Sequence, residues 1–170
     1  MIEKKMEEVI KILRERHWTI GVMESCTGGA VANCITNIPG ASDVFGEGKV
    51  TYCDEAKIKA GVDKKIIKKW GVYSKETAEE MARKVNPPTA SSPDSSANQE
   101  DKQIGWAGIG IGVTGNLSYP REVFVALRVG EKVESINFKV ESKNKNKIEA
   151  RKEMKAQVVE KVVDMIIENI

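Results

Sequence analysis

The chain has 170 residues, of which 41% are hydrophobic and 31% are charged, a mixture typical of a globular protein with one sizeable core. Its formal net charge of +2 gives no reason to expect strong nonspecific binding of nucleic acid, and no apolar stretch approaches the about 20 residues that span a bilayer. Residues 1–18 mix acids and bases at helical spacing and lack the apolar centre of a signal peptide. We therefore expect a single domain over residues 1–170, located in the cytoplasm and without a membrane partner.

Helices and strands alternate through the first part of the chain. Hydrophobic periodicity, glycine and proline predict, in chain order, a helix at 2–16, a buried strand at 18–23, a helix at 28–37, a strand that ends near Tyr52 and a short helix at 63–70. Ser74 is predicted to be the N-cap of a further helix, at residues 75–85. This alternation is typical of proteins in which helices cover a parallel sheet.

The second part begins with a polar stretch and continues with strands. Residues 86–103, "NPPTASSPDSSANQEDKQ", contain no large apolar side chain that could hold them to a core, so a mobile loop is predicted there. "IGWAGIGIGVTG" then alternates glycine with Ile or Val at a period of two. The remaining predicted elements are strands at 122–129 and 132–140 and a helix at 147–169. The whole order predicts an α/β fold, three-layer α/β/α with a mixed, mostly parallel sheet.

The segment "GIGVTG" matches the dinucleotide-binding spacing G-x-G-x-x-G at Gly110, Gly112 and Gly115. That fingerprint requires a helix directly after the glycines, whereas a proline and then a strand follow here. We therefore interpret these glycines as positions that let a helix lie close to one face of the sheet.

The segment "ESCTGG", residues 24–29, lies between a predicted strand and a predicted helix. Free backbone N–H groups at a helix start attract an anion or a developing oxyanion, and the two glycines permit a tight turn. No Walker lysine follows, so an ordinary P-loop is excluded. From these residues alone, a helix cap and an anion-binding turn both remain open.

Cysteine and histidine are scarce, which limits the catalytic and metal chemistry available. Cys26, Cys34 and Cys53 are too few and too scattered for a disulfide framework or a zinc site, so we expect no metal and no cofactor. His17 is the only histidine, and it precedes the strand that carries Ser25 at its far end. Extended residues rise about 3.3 Å each, so histidine-assisted catalysis at Ser25 is not expected.

A serine nucleophile then needs another proton acceptor. "TYCDEAK" offers Tyr52 and Lys57 just beyond a predicted strand end. A lysine among cationic or apolar neighbours has a lowered pKa and can act as a base. The residues alone leave open that Lys57 is one of many exposed lysines.

Four segments taken together resemble a known family. "ESCTGG", "PGASDVFGEGKVTYCDEAKIKAGV", "WGVYSKETAEEMA" and "GIGVTG" closely resemble the C-terminal domain of the CinA family, in order and spacing, over residues 5–118 outside the 86–103 loop. The resemblance implies a nicotinamide-nucleotide amidohydrolase that converts nicotinamide mononucleotide to the acid form and ammonia. Ser25 would attack the carboxamide carbon, while Lys57 and Tyr52 would manage the serine proton and its delivery to ammonia.

The resemblance also implies that further residues bind the substrate and that the protein forms a homo-oligomer, namely a homodimer. Thr27 and Thr114 match family positions that line the nucleotide site. Backbone groups of Cys26, Gly28 and Gly29 would stabilise the oxyanion. By its chemistry, Cys26 is an alternative nucleophile, because a thiolate at a helix N-terminus has a lowered pKa.

Two segments differ from the family pattern. After Thr114 the chain has "NLSYP" where the family has a glycine-rich loop, and before the last helix it has "ESKNKNKIEARKE" where the family has G-D-R and a further arginine. Lys147 and Arg151 keep a spacing of four and share a helical face. The resemblance implies that they bind the substrate phosphate. A solvated basic helix start is the alternative. For the whole chain, a nucleotide-binding module without hydrolysis and a protein-interaction domain remain open beside the hydrolase.

Overall fold

A computed structural model describes residues 2–85 and 108–170. The loop predicted at 86–103 lies outside the described residues. The α-helices are α1 (Ile2–Glu15), α2 (Ala30–Thr36), α3 (Asp54–Lys59), α4 (Lys64–Trp70), α5 (Lys75–Lys84) and α6 (Lys147–Asn169). The strands are β1 (Thr19–Glu24), β2 (Phe45–Val50), β3 (Gly108–Gly115), β4 (Glu122–Val129) and β5 (Lys132–Lys139), and a short 3-10 helix spans Ala41–Asp43.

The described strands form one five-stranded sheet in the order β2-β1-β3-β4-β5. The strands β2, β1 and β3 are parallel to one another, β4 is antiparallel to β3, and β5 is antiparallel to β4. Four strands thus run in one direction and β4 alone runs against them. The predicted mixed, mostly parallel α/β sheet is confirmed.

The larger core lies between one face of the sheet and the helices α1, α2 and α6. It unites apolar side chains of β1 and β3, such as Val22 and Ile111, with those of the three helices, such as Leu13, Ile35 and Val162. These helices were predicted from apolar residues at spacings of three and four, and most of those residues are buried here, while Ile2, Ala30 and Cys34 are half-buried.

The helix α5 covers the opposite face and lies unusually close to β3. A Cβ atom placed on Gly110 would lie 2.1 Å from the carbonyl oxygen of Ala82, and one on Gly112 would lie 2.0 Å from that of Ala78. Only glycine allows this approach, because 2 Å is far below any real contact between a Cβ and an oxygen. The predicted packing of a helix against the "GIGVTG" glycines is confirmed for Gly110 and Gly112, whereas Gly115 faces the backbone of β4 at Glu122 and Val123. No helix follows β3, which leads through a turn into β4.

Element boundaries differ slightly from the predicted ones where the backbone turns. The predicted helix at 28–37 begins at Ala30, because Gly28 and Gly29 have φ angles of 60° and 99°. The strand predicted to end near Tyr52 ends at Val50. Ser74 caps α5 as predicted, accepting a hydrogen bond from the N–H of Thr77. Among the described helices, none combines the length and apolar character that crossing a bilayer requires.

Candidate active site

Ser25 follows the last residue of β1, at the edge where the parallel strands end. Its backbone N–H donates to the carbonyl oxygen of Val113 at 3.0 Å, which ties it to the end of β3. The residue is 4% exposed. The chain then turns through Gly28 and Gly29 into α2, so the serine hydroxyl stands at a sharp strand-to-helix turn.

Lys57 brings an amine directly to that hydroxyl. It lies in α3 and is only 1% exposed. Its Nζ is 3.0 Å from Ser25 Oγ and 2.7 Å from the carbonyl oxygen of Thr51. The separation is within the hydrogen-bond reach that a nucleophile and its base require. The alternative of an exposed Lys57 is excluded.

The environment of Lys57 favours the neutral amine. Burial lowers the pKa of Lys57 from its ordinary value of 10.5, and the negative charge of Asp54 opposes this effect in part. Burial has this effect because the charged form of the amine loses its hydration. A neutral amine can accept the proton of a serine hydroxyl, whereas an ammonium cannot.

Glu24 occupies the start of α2, for which the sequence left both a helix cap and an anion-binding turn open. Its carboxylate is fully buried and accepts hydrogen bonds from the N–H groups of Val31 and Ala32 in α2, and from the hydroxyl of Thr27 at 2.5 Å. The first acid of "ESCTGG" is therefore an intramolecular cap for α2. The N–H of Gly28 is also used, since it donates to the carbonyl oxygen of Ser25.

Cys26 is a poor nucleophile in this structure. Burial raises the pKa of its thiol to about 11, although a backbone hydrogen bond and, to a smaller extent, the charge of Arg151 act in the opposite direction. The thiol is therefore protonated at neutral pH, and the thiolate is the reactive form. Of the two candidate nucleophiles, the geometry favours Ser25.

Tyr52 and Arg151 meet above the turn. Arg151 of α6 donates from Nη2 to the phenol oxygen of Tyr52 at 2.9 Å, and the tyrosine is 58% exposed. Tyr52 thus lies at the solvent side of the site and contacts α6. Among the hydrogen bonds of the described residues, none joins its hydroxyl to Ser25 or Lys57.

A second cation, Lys155, lies one helical turn beyond Arg151, and sequence reasoning missed it. Its Nζ is 3.2 Å from the position that a Cβ on Gly28 would occupy, so the ammonium covers the glycine turn. The signal was available in the sequence, because Lys147, Arg151 and Lys155 continue a spacing of four. Lys147 is exposed at the first position of α6.

Thr114 and Thr27 are both buried, with their hydroxyls bonded to protein groups. Thr114 Oγ1 donates to the carbonyl oxygen of Val72 at 2.9 Å, which fixes the segment before α5 to the end of β3. Thr27 donates to Glu24 as described above. The hydroxyl hydrogens of both threonines are therefore used within the protein, and their oxygens keep only acceptor capacity.

Metal ligands do not cluster in the described part of the chain. No group of three or more His, Cys, Asp or Glu side chains could hold a metal ion there.

Comparison with known proteins identifies the family. The sequence profile of the CinA C-terminal domain matches residues 2–170. The chain belongs to the CinA C-terminal domain family. The resemblance stated from the sequence is therefore confirmed.

Two relatives named competence-damage inducible protein illustrate the extent of the similarity to this CinA domain. One from Moorella thermoacetica is 38% identical over 133 residues, covering 73% of this chain and 32% of the relative. Another, from Caldanaerobacter subterraneus subsp. tengcongensis, is 52% identical over 85 residues, covering 49% of this chain and 21% of the relative. The chain thus spans about a third or less of the length of these curated relatives.

Solved CinA structures share the fold over nearly the whole chain. The competence damage-inducible protein A from Klebsiella pneumoniae superposes with a TM-score of 0.79 at 19% identity, covering 99% of this chain and 96% of that one. The competence/damage inducible protein CihA from Agrobacterium tumefaciens gives a TM-score of 0.76 at 24% identity, covering 98% and 94%. At these identities the likeness establishes the fold alone.

Proposed function

We propose that this CinA domain is an amidohydrolase that converts nicotinamide mononucleotide to nicotinic acid mononucleotide and ammonia. Ser25 is the nucleophile and Lys57 is the base. The observation that carries the proposal is the 3.0 Å contact between Lys57 Nζ and Ser25 Oγ, made by an amine whose pKa burial lowers. A scaffold would gain nothing from burying a lysine against a serine hydroxyl, because removing an amine from water costs stability.

In the first half of the reaction, one proton moves from Ser25 to Lys57 and then to the leaving nitrogen. Ser25 Oγ attacks the carboxamide carbon while its proton passes to the neutral amine of Lys57. The resulting ammonium gives that proton to the leaving nitrogen, ammonia departs, and the acyl group remains on Ser25 as an ester. Backbone N–H groups of Cys26 and Gly29 would stabilise the oxyanion, each contributing about 3 kcal/mol, because those of Ser25 and Gly28 already donate to carbonyl oxygens of the protein.

The cations of α6 favour an anionic substrate. Arg151 and Lys155 lie one turn apart above the glycine turn, and the nearest acid of that turn, Glu24, directs its carboxylate into α2. The site therefore offers positive charge without a competing carboxylate from the turn. The phosphate of a mononucleotide would take this place, and Arg151 would exchange its hydrogen bond with Tyr52 for one to the phosphate.

Tyr52 belongs to the substrate mouth in this proposal. Its phenol holds Arg151 at 2.9 Å, and its exposed ring borders the turn on the solvent side. The share in the serine proton that the resemblance implied would require the phenol to leave Arg151 and approach the leaving nitrogen when substrate is bound.

Ammonia release from nicotinamide mononucleotide tests the proposal. The purified chain should release ammonia, and Ser25→Ala should lower the rate by about 10⁴-fold or more while leaving the melting temperature within a few degrees. Ser42→Ala, at an exposed serine, is the matched control and should keep full activity. Turnover by Ser25→Ala at the wild-type rate would remove the nucleophile. Binding of the nucleotide without turnover by the wild type would favour a nucleotide-binding module instead.

A further inference from the structure

Thr51 carries a buried hydroxyl that the mechanism above does not use. The residue is 4% exposed, and Oγ1 is the one buried side-chain nitrogen or oxygen in residues 2–85 and 108–170 that has no hydrogen-bond partner. Burying an unpaired hydroxyl lowers stability, and valine would fill the same volume at a strand end without that cost. A polar group left unpaired in this way calls for a partner that arrives during function.

Two hydrogen bonds, one to β1 and one from Lys57, fix the backbone of Thr51. Its N–H donates to the carbonyl oxygen of Glu24 at 2.8 Å, and its carbonyl oxygen accepts from Lys57 Nζ at 2.7 Å. Because both hydrogen bonds are short and buried, Thr51 has little freedom relative to Lys57. The hydroxyl of Thr51 is therefore carried by a backbone that is held against the base.

The amine of Lys57 links Thr51 to Ser25. Its Nζ lies 2.7 Å from the carbonyl oxygen of Thr51 and 3.0 Å from Ser25 Oγ. Thr51 directly follows Val50, the last paired residue of β2, and Ser25 directly follows Glu24, its partner in the parallel strand β1. Both residues therefore lie at the same edge of the sheet, with the Lys57 amine bonded to each.

We propose that the Thr51 hydroxyl holds the water molecule that hydrolyses the ester on Ser25. The inference rests on the proposed function, because it assigns a residue to the second half of that reaction. Water attacks the acyl carbon and gives one proton to the neutral amine of Lys57, while its other hydrogen is held by Thr51 Oγ1. The tetrahedral intermediate then expels Ser25 Oγ, which recovers the proton from Lys57, and the carboxylic acid leaves.

Thr51→Val separates this role from a structural one. The variant keeps the shape of the side chain and lacks the hydroxyl, so the melting temperature should stay equal or rise. Deacylation should slow by about 10- to 100-fold. Since kcat/KM reports the steps up to the acyl-enzyme, kcat and KM for nicotinamide mononucleotide should fall together and leave that ratio unchanged. Intact-mass spectrometry should show the acyl-enzyme accumulating, and Thr51→Ser should restore turnover.

An ester probe keeps the test independent of the natural substrate. With p-nitrophenyl acetate, the acetyl group on Ser25 should persist about 10-fold longer or more in Thr51→Val than in the wild type. Acylation by this ester without turnover of nicotinamide mononucleotide would overturn the proposed substrate and leave Thr51 supported by the slower deacetylation. Equal acetyl lifetimes in both proteins, or a fall in kcat/KM without acyl-enzyme, would overturn the role of Thr51. Failure of the ester to acylate Ser25 would overturn it together with the nucleophile.

Discussion

The turn after β1 and the neighbouring strand β3 both carry glycine-containing motifs, and their glycines act in opposite ways. In β3, Gly112 gives its space to the backbone of α5, with the carbonyl oxygen of Ala78 where a Cβ would stand. In the turn, the ammonium of Lys155 lies 3.2 Å from the position that a Cβ on Gly28 would occupy, and a ligand can displace this ammonium. Glycine in the middle of the strand lets two elements pack closely, whereas glycine after the end of the strand leaves room for a ligand.

The difference lies in the neighbours rather than in the motif. Gly110 and Gly112 of β3 face the backbone of α5 at Ala82 and Ala78, so the close approach there is between two backbones. The glycines of the turn stand beside Ser25 and near the cations of α6. A spacing of glycines therefore predicts a close approach, and the chemistry of the approaching group decides between packing and function.

Lys57→Met is the substitution near the turn with the largest expected effect on activity. Removing the base should lower turnover of nicotinamide mononucleotide by about 10³-fold. The amine must be neutral to act, so wild-type activity should rise with pH through the lowered pKa of Lys57, with a midpoint below 10.5. A pH–rate profile of the wild type and of Lys57→Met measures the loss of turnover and the midpoint. Lys59→Met, at an exposed position of the same helix, should keep the wild-type rate and profile.

The stability of Lys57→Met follows from the same pKa shift. Between the lowered folded pKa and the unfolded value, the unfolded chain binds more protons, so wild-type stability rises with pH. The stability gained by Lys57→Met relative to the wild type should therefore be largest at neutral pH and shrink as the pH approaches 10.5. A gain that grows with pH would contradict the buried position of the amine.

Gly112→Ala tests the close packing of α5 on β3. The new methyl group would overlap the carbonyl oxygen of Ala78, so α5 must move away from β3. We expect a loss of about 3 kcal/mol in the free energy of unfolding, measured by denaturant titration. Gly130→Asn is the control, since that turn has open space and asparagine tolerates its positive φ of 59°. An unchanged stability of Gly112→Ala would contradict the close approach.

Lys155→Ala gives the smallest expected effect and tests the anion preference of the turn. KM for nicotinamide mononucleotide should rise about 10-fold, equivalent to about 1.4 kcal/mol, while kcat changes little. The corresponding riboside lacks the phosphate, so its KM should not change. Lys152→Ala is the matched control, because that exposed lysine pairs with Glu149. An equal KM increase for both substrates would contradict phosphate binding at Lys155.

Much of the fold could be predicted because its signals are local. Spacings of three and four predicted α1 and α6, the serine at position 74 predicted the start of α5, and the final pair of strands predicted the antiparallel edge. The end of β2 was misplaced by two residues, because Thr51 and Tyr52 have strand-forming side chains although the backbone leaves the ladder at Val50.

The candidate site was predictable only in part, because its contacts join distant segments. The pairing of Ser25 with Lys57 followed from the resemblance and from the scarcity of histidine. The cap formed by Glu24 on α2 reverses the simple expectation of a vacant helix start, since an acid in the same motif satisfies those N–H groups. The contact between Tyr52 and Arg151 spans 99 residues of sequence, and no local pattern predicts it.

The protonated thiol of Cys26 has a consequence for how the domain tolerates its surroundings. Alkylating agents and peroxides attack thiolates, and burial keeps this thiol in its unreactive form, with a pKa of about 11. The hydroxyl of Ser25 beside it cannot be oxidised to a sulfenic acid. Oxidising conditions that inactivate thiolate-dependent enzymes should therefore leave the turn at Ser25 intact.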